Sequence, residues 1–242
     1  RDSRGWIVLS DYSGVLQTVG SPAVTDQEAS DVIATALAEI AGNTARALVL
    51  VPDDTRKLPV SKTFRAIWRA LRGHGVSVDA MIAQGTHAPM TEAAKRQWVF
   101  GSREYPGAVI HDHSWADVES LVEVGTVPLS DQKARFGVYG EVSAKLGFDH
   151  DMPVRISRRL LDYDRIILLT RVQPHEGAGF AGGAKQIFPG VSGPEMINLL
   201  HTIGSLWGAR AIQGKLENPV RQLIDDMARH VPVPLTTLAL VV

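Results

Sequence analysis

The sequence predicts an α/β protein with a Rossmann-like, mostly parallel sheet flanked by helices. Three observations carry that expectation. The apolar runs at 47–51 and 166–170 have the length and composition of buried strands, and 76–83 reads as a further strand. Between such runs lie stretches whose apolar residues recur at three- and four-residue spacing, the period of a helix packed on a sheet. The last run empties into Pro174-His-Glu-Gly-Ala-Gly-Phe-Ala-Gly-Gly-Ala-Lys185. Such a turn is where an α/β protein brings its backbone close to a ligand.

Taken in order, Thr25-Asp-Gln-Glu28 reads as a capping box, with Val32, Ile33, Ala36, Leu37 and Ile40 on one helical face and Gly42-Asn43 as its stop. After the strand at 47–51 comes a polar loop from Pro52 to Pro59. Phe64, Ile67, Trp68 and Leu71 then form a helical stripe that ends at Gly73. The strand at 76–83 is followed by the loop Gln84-Gly-Thr-His-Ala-Pro89 and by a helix from Thr91 to about Phe100. A third strand is expected at 109–112, an edge strand at 120–129, and mostly loop at 130–151, where glycines recur without a clear period. A strand at 153–157 and a helical turn at 158–162 precede the strand at 166–170. Helices at 194–203 and 219–230 and a final strand complete the chain.

The 242 residues, 45% hydrophobic and 21% charged, suffice for one large domain with a full core. A formal net charge of −1 provides no global field for nucleic acid or an anionic membrane, and neither is expected as a partner. The basic run Arg155-Ile-Ser-Arg-Arg159 reads as a solvated face. Absence of cysteine excludes disulfides, thiolate metal sites and cysteine nucleophiles, and fits a reducing, cytoplasmic setting. No stretch reaches the about 18 apolar residues of a membrane span. The chain opens on Arg1 and stops within a strand-like run, so the expectation is a single α/β domain, 1–242, that forms the N-terminal part of a longer two-domain protein.

Chemistry concentrates in three loops expected at the carboxyl ends of strands. The first carries Asp53-Asp-Thr-Arg56, where Asp53 is either a helix cap or a partner for a ribose hydroxyl or cation, and Arg56 either solvated or a carboxylate- or phosphate-binding fork. The second carries His87, a loop histidine or an acid/base. The third holds His175 and Lys185 among glycines whose backbone N–H groups can converge on an anion. Lys185 either caps the turn, binds phosphate or acts through its amine. His111 and His113 share a strand face and form at most part of a metal site. His201 sits near an apolar helix face, where a histidine is ordinarily packed.

In order and spacing, Asp53-Asp-Thr-Arg56, Gly85-Thr-His87-Ala-Pro-Met-Thr91, Pro174-His175, Phe180-Ala-Gly-Gly-Ala-Lys185, Phe188-Pro-Gly190, His201 and Gly214-Lys-Leu-Glu-Asn-Pro-Val-Arg221 together resemble the lactate racemase family. The likeness runs from about Val49 to the C-terminus and matches that family's N-terminal, cofactor-binding domain. The resemblance implies a racemase or epimerase of a 2-hydroxy acid, lactate-like or malate-like. Its cofactor would be the nickel-pincer nucleotide (pyridinium-3,5-bisthiocarboxylate mononucleotide nickel). It further implies His87 and His175 as paired acid/base residues, Arg56 as substrate-carboxylate ligand and His201 as nickel ligand. Asp53, Phe180, Gly182, Gly183, Lys185 and Pro189 would contact the cofactor, with Lys185 the residue that carries it through a thioamide in the founding racemase. Implied partners are the 2-hydroxy acid, cofactor-maturation proteins and a C-terminal domain that supplies a substrate lysine. Two departures stand out: residues 125–165 are longer and less regular than the family pattern, and Glu176 replaces an often aromatic neighbour of the histidine. The alternatives are a zinc- or phosphate-dependent hydrolase built on His111, His113 and His175, and a non-catalytic nucleotide-binding module.

Overall fold

A computed structural model describes residues 5–10, 15–21 and 25–241. In chain order its elements are β1 (Gly5–Ser10), β2 (Val15–Ser21), α1 (Asp26–Ala41), β3 (Arg46–Pro52), α2 (Val60–Gly73), β4 (Ser77–Ala83), α3 (Glu92–Val99), β5 (Ile110–His111), β6 (Leu121–Val127), α4 (Leu129–Phe136), α5 (Val138–Lys145), β7 (Met152–Ser157), β8 (Arg165–Arg171), β9 (Pro174–His175), β10 (Gly179–Phe180), α6 (Pro194–Trp207), α7 (Ala209–Ile212), α8 (Pro219–Ala228) and β11 (Leu235–Val241). They form two compact units. The first comprises Arg1–His113, Leu160–Val172 and Val233–Val242, and the second Ser114–Arg159 and Gln173–Pro232.

The first unit is built on a sheet of order β2-β1-β11-β8-β3-β4-β5. Its five strands β11, β8, β3, β4 and β5 are all parallel, and helices flank them, so the α/β class read from the sequence holds. The antiparallel hairpin β1–β2 joins alongside β11; the sequence reading assigned nothing there. Helix α1 begins at the expected capping box: Thr25 Oγ1 accepts from Glu28 N at 3.2 Å, and the Glu28 carboxylate accepts from Thr25 N at 2.8 Å. Alternate residues of β3 (Ala47, Val49, Val51) and β4 (Val78, Ala80, Ile82) share a core with Ile33 and Leu37 of α1 and Phe64, Ile67 and Leu71 of α2. Phe64 also meets the rings of Phe100 and Tyr105 at centroid distances of 5.5 and 5.3 Å.

Asp164 ties two of these strands together just before β8. Its Oδ2 accepts from Ala45 N at 2.9 Å and Arg46 N at 2.8 Å, and these backbone donors hold its carboxyl below the ordinary range. A depressed folded pKa means stabilisation that is complete above the unfolded pKa and lost as pH falls through the folded one. The expected result is that Asp164→Asn lowers the thermal midpoint at neutral pH. The gap to the unsubstituted protein should close as the pH drops below the ordinary carboxylate value.

In the second unit, β6 does not lie on the edge of the main sheet, as the run at 120–129 led us to expect. It pairs antiparallel with β7 in a two-stranded sheet. The local pattern marks a strand; it carries no information on which partner completes the ladder. The segment 130–151, expected to be mostly loop, contains α4 and α5. Each has only eight residues, separated by Gly137 at φ +54°, so neither shows enough turns for a period. The buried pair at i, i+4 in α4 is Gln132 and Phe136, and a glutamine at a core position hides the stripe. Its Nε2 donates to Val127 O and His150 O, each at 3.1 Å. Helix α6 runs to Trp207, one turn past the expected end. Among the described residues, no helix is long and apolar enough to cross a membrane.

Candidate active site

Within the first unit, β8, β3 and β4 are adjacent and parallel, so their following loops leave one edge of the sheet. The β3 and β4 loops meet there. Asp53, buried at the end of β3, receives Thr55 N at 3.0 Å and the Thr55 hydroxyl on Oδ1, and takes His87 Nδ1 on Oδ2 at 2.6 Å. A carboxylate only accepts, so the neutral His87 ring carries its proton on Nδ1 and presents Nε2 as an acceptor. The His87 side chain is 45% exposed. Arg56 closes the Asp53 turn through its backbone N to Asp53 O at 3.2 Å. Its guanidinium makes no ion pair among the described residues, and is a bidentate donor available to an anion. Next to this loop, Asp54, Leu58, Val60, Met90, Gln97 and Trp98 line a cleft of about 400 Å³. Trp98 Nε1 holds the end of β3 by donating to Pro52 O at 2.7 Å.

The second unit holds the other predicted residues. His175 and Phe180 lie on the short hairpin β9–β10, paired with Gly179 and Pro174 respectively. Gly177 N donates to His175 Nδ1 at 3.0 Å. Nδ1 is therefore the acceptor, and the neutral His175 ring carries its proton on Nε2, opposite to His87. Gly182, at φ +100°, turns the chain into a 3₁₀ helix, Gly183–Gln186, that contains Lys185, with Pro189 just beyond. His201, exposed on α6, donates Nδ1–H to Ile197 O at 2.7 Å. Its Nε2 is then left with a lone pair, the arrangement in which a backbone carbonyl orients a metal-binding imidazole. One turn on, a Cβ at Gly204 would come within 2.9 Å of Gly177 O, so the turn that carries His175 rests directly on the helix that carries His201.

Asp53, Arg56 and His87 are thus brought together in one unit. His175, Phe180, Gly182, Gly183, Lys185, Pro189 and His201 belong to the other. His111 Nε2 lies 3.0 Å from the Tyr163 hydroxyl, which donates to Asp79 Oδ2 at 2.8 Å. The hydroxyl proton is spent on Asp79, so His111 must donate, and its Nε2 has no lone pair for a metal. His113 is buried. Among the described residues, no group of three or more His, Asp or Glu could hold a metal ion. Sequence reading passed over Thr55, Gly204, Asn218 and Arg221 as individual residues. Of these, Asn218-Pro219 carried a legible cue, a cap residue followed by proline at the first helical position.

The fold and these residues define the class: an α/β domain with histidine- and glycine-bearing loops after parallel strands. The family model for the lactate racemase N-terminal domain matches residues 21–133 and 144–214, and the chain belongs to that family. The unmatched residues 134–143 span the junction of α4 and α5, inside the segment read as departing from the family pattern. The chain is 23% identical over 185 residues to the lactate racemase of Thermoanaerobacterium thermosaccharolyticum, an alignment spanning 75% of this chain and 38% of the racemase. The lactate racemase apoprotein structure from that organism superposes with a TM-score of 0.65 at 17% identity, over 93% of this chain and 54% of that one. A crystal structure of a Thermotoga maritima protein gives a TM-score of 0.80 at 24% identity, over 90% of this chain and 51% of that one. These superpositions show a shared fold. The chain spans about half the length of the solved chains and less of the curated racemase.

Proposed function

We propose that this chain is the cofactor- and substrate-binding N-terminal part of a longer two-domain isomerase that racemises or epimerises a lactate-like or malate-like 2-hydroxy acid. The observation that carries this reading is the pair of opposite tautomers. Asp53 holds His87 as a proton acceptor and Gly177 holds His175 as a proton donor. A reaction that takes the hydroxyl proton from a 2-hydroxy acid and later gives one back to the keto acid needs one residue of each kind, exchanging roles with direction. Family membership and the retained motif residues also support it.

The chain's residues suit the nickel-pincer nucleotide. His201 offers a borderline nitrogen ligand fixed by a backbone carbonyl, and imidazole suits nickel. Lys185 would hold the pyridinium through its amine, while Phe180, Gly182, Gly183 and Pro189 would line it. When bound, the group supplies a carbon that accepts hydride. Arg56 would grip the substrate carboxylate and so fix the direction of the α C–H. His87 Nε2 would then take the hydroxyl proton, and His175 Nε2 would return one. Asp53 serves as the orienting partner of His87, in addition to any contact with the cofactor.

The test is production of the full chain together with cofactor-maturation proteins, followed by intact mass, nickel content and racemisation of a chiral 2-hydroxy acid. The expected result is about one nickel and one pyridinium adduct per chain, with the adduct lost in Lys185→Ala and kept in His175→Ala. A chain that acquires zinc, or no metal and no adduct, removes the proposal.

A further inference from the structure

The motif Gly214–Arg221 is folded back onto the glycine-rich turn, and the site described above gives it no role. Asn218 caps α8 by accepting Arg221 N on Oδ1 at 2.9 Å. Its Nδ2 donates to Lys215 O at 3.1 Å and reaches Ala178 O at 3.4 Å. Arg221, one turn into the helix, is anchored by Nε to Asp225 Oδ2 at 3.0 Å. Its Nη1 donates to Gly182 O at 3.0 Å and reaches Phe180 O at 3.5 Å. A Cβ at Gly183 would stand 2.8 Å from Nη2, so the guanidinium lies against the bare face of that glycine. Alternate carbonyls of the turn, from Ala178, Phe180 and Gly182, are thereby drawn toward the start of α8.

Peptide planarity gives this a consequence. In a trans peptide the C=O of Gly182 and the N–H of Gly183 point in opposite directions. Holding the carbonyl on Arg221 turns the Gly183 N–H to the far side of the turn. No backbone hydrogen bond takes it up among the described residues. Gly182 O also accepts Lys185 N at 3.3 Å, so the same plane sets the 3₁₀ turn that carries the lysine. We propose that Arg221 is a positioning residue for the cofactor loop: it fixes the Gly182–Gly183 peptide so that the Gly183 N–H faces the nucleotide phosphate and Lys185 is presented in register. The inference rests on the function proposed above.

Two readouts on the full chain test it. Amide hydrogen exchange of residues 179–187 in cofactor-free protein reports the clamp, and intact mass with nickel content after production with maturation proteins reports loading. Arg221→Ala is expected to speed exchange across the segment and to lower occupancy by about tenfold or more, the scale of losing an orienting partner of a metal site. The circular dichroism of the whole chain should be unchanged. Arg221→Lys restores a charge without the fork, so it should recover part of the occupancy. Gly183→Ala, which pushes the guanidinium off from the other side, is the second variant if Arg221→Ala fails to fold. Unchanged exchange, or occupancy equal to that of the unsubstituted chain, overturns the inference. An unsubstituted chain that takes up no cofactor instead defeats the proposed function, and the exchange experiment still decides whether the clamp exists.

Discussion

Asp53→Asn is expected to lower turnover of the loaded two-domain protein by about 10²–10⁴-fold, nearly as much as His87→Ala, although the asparagine is the same size. The reason lies in the donors around the carboxylate. Thr55 N and the Thr55 hydroxyl both donate to Oδ1, so an asparagine must turn its carbonyl to Thr55. Its amide then faces His87 Nδ1, which becomes an acceptor, and the ring proton moves to Nε2. The base is converted into a donor without any displacement of the ring. Because Arg56 keeps its place, KM for the carboxylate substrate should change little while kcat falls. Turnover is expressed per loaded chain, with cofactor occupancy read by intact mass, so that any loss of the Asp53 contact to the cofactor is separated from the loss of the base. A variant that retains kcat within about threefold would show that the Asp53–His87 pair does not set the working tautomer.

The second large effect concerns folding. Gly179 sits at φ +79°, a region that costs an L-residue about 1–3 kcal/mol. A Cβ there would lie 2.1 Å from Lys215 O and 2.5 Å from Asn218 Nδ2. The backbone oxygen cannot swing aside as a flexible side chain would, so the Gly214–Arg221 segment must shift and the Gly214 N to Gly179 O bond of 2.9 Å is lost with it. Gly179→Ala should destabilise the protein by about 3–5 kcal/mol, measured by urea unfolding. Gly177→Ala is the matched control. Its Cβ would meet only the His175 ring at 3.7 Å, an ordinary contact, and the change should stay within about 0.5 kcal/mol.

Much of the parallel sheet was legible because β3 and β8 are nearly continuous apolar runs and α1 and α2 carry clean stripes. Phe64, Ile67 and Leu71 are readable as one face in any order of discovery. The hairpin β1–β2 was passed over, and β6 was placed on the wrong sheet, since pairing is a property of two distant segments and neither contains the other. Helices α4 and α5 were hidden by their brevity and by Gln132 standing where an apolar residue would announce the pattern. At the site, residue types and loop positions could be read in advance, as with His87 and Lys185. The proton positions could not. They depend on Asp53 reaching His87 across 34 residues, and on one amide, Gly177 N, aimed at a ring two residues away. Arg221 was seen as a motif letter only, because its role is to hold carbonyls, and carbonyls have no letter.

The strand order has a bearing on how the polypeptide is made. β1 meets the parallel strands solely by way of β11, which lies between β1 and β8. Emerging from the ribosome, the hairpin therefore has no parallel strand to pair with until more than two hundred further residues have followed. Once β8 has emerged, its outer rim stands open until β11 follows about sixty residues later, a ready template for a stray strand from another nascent copy.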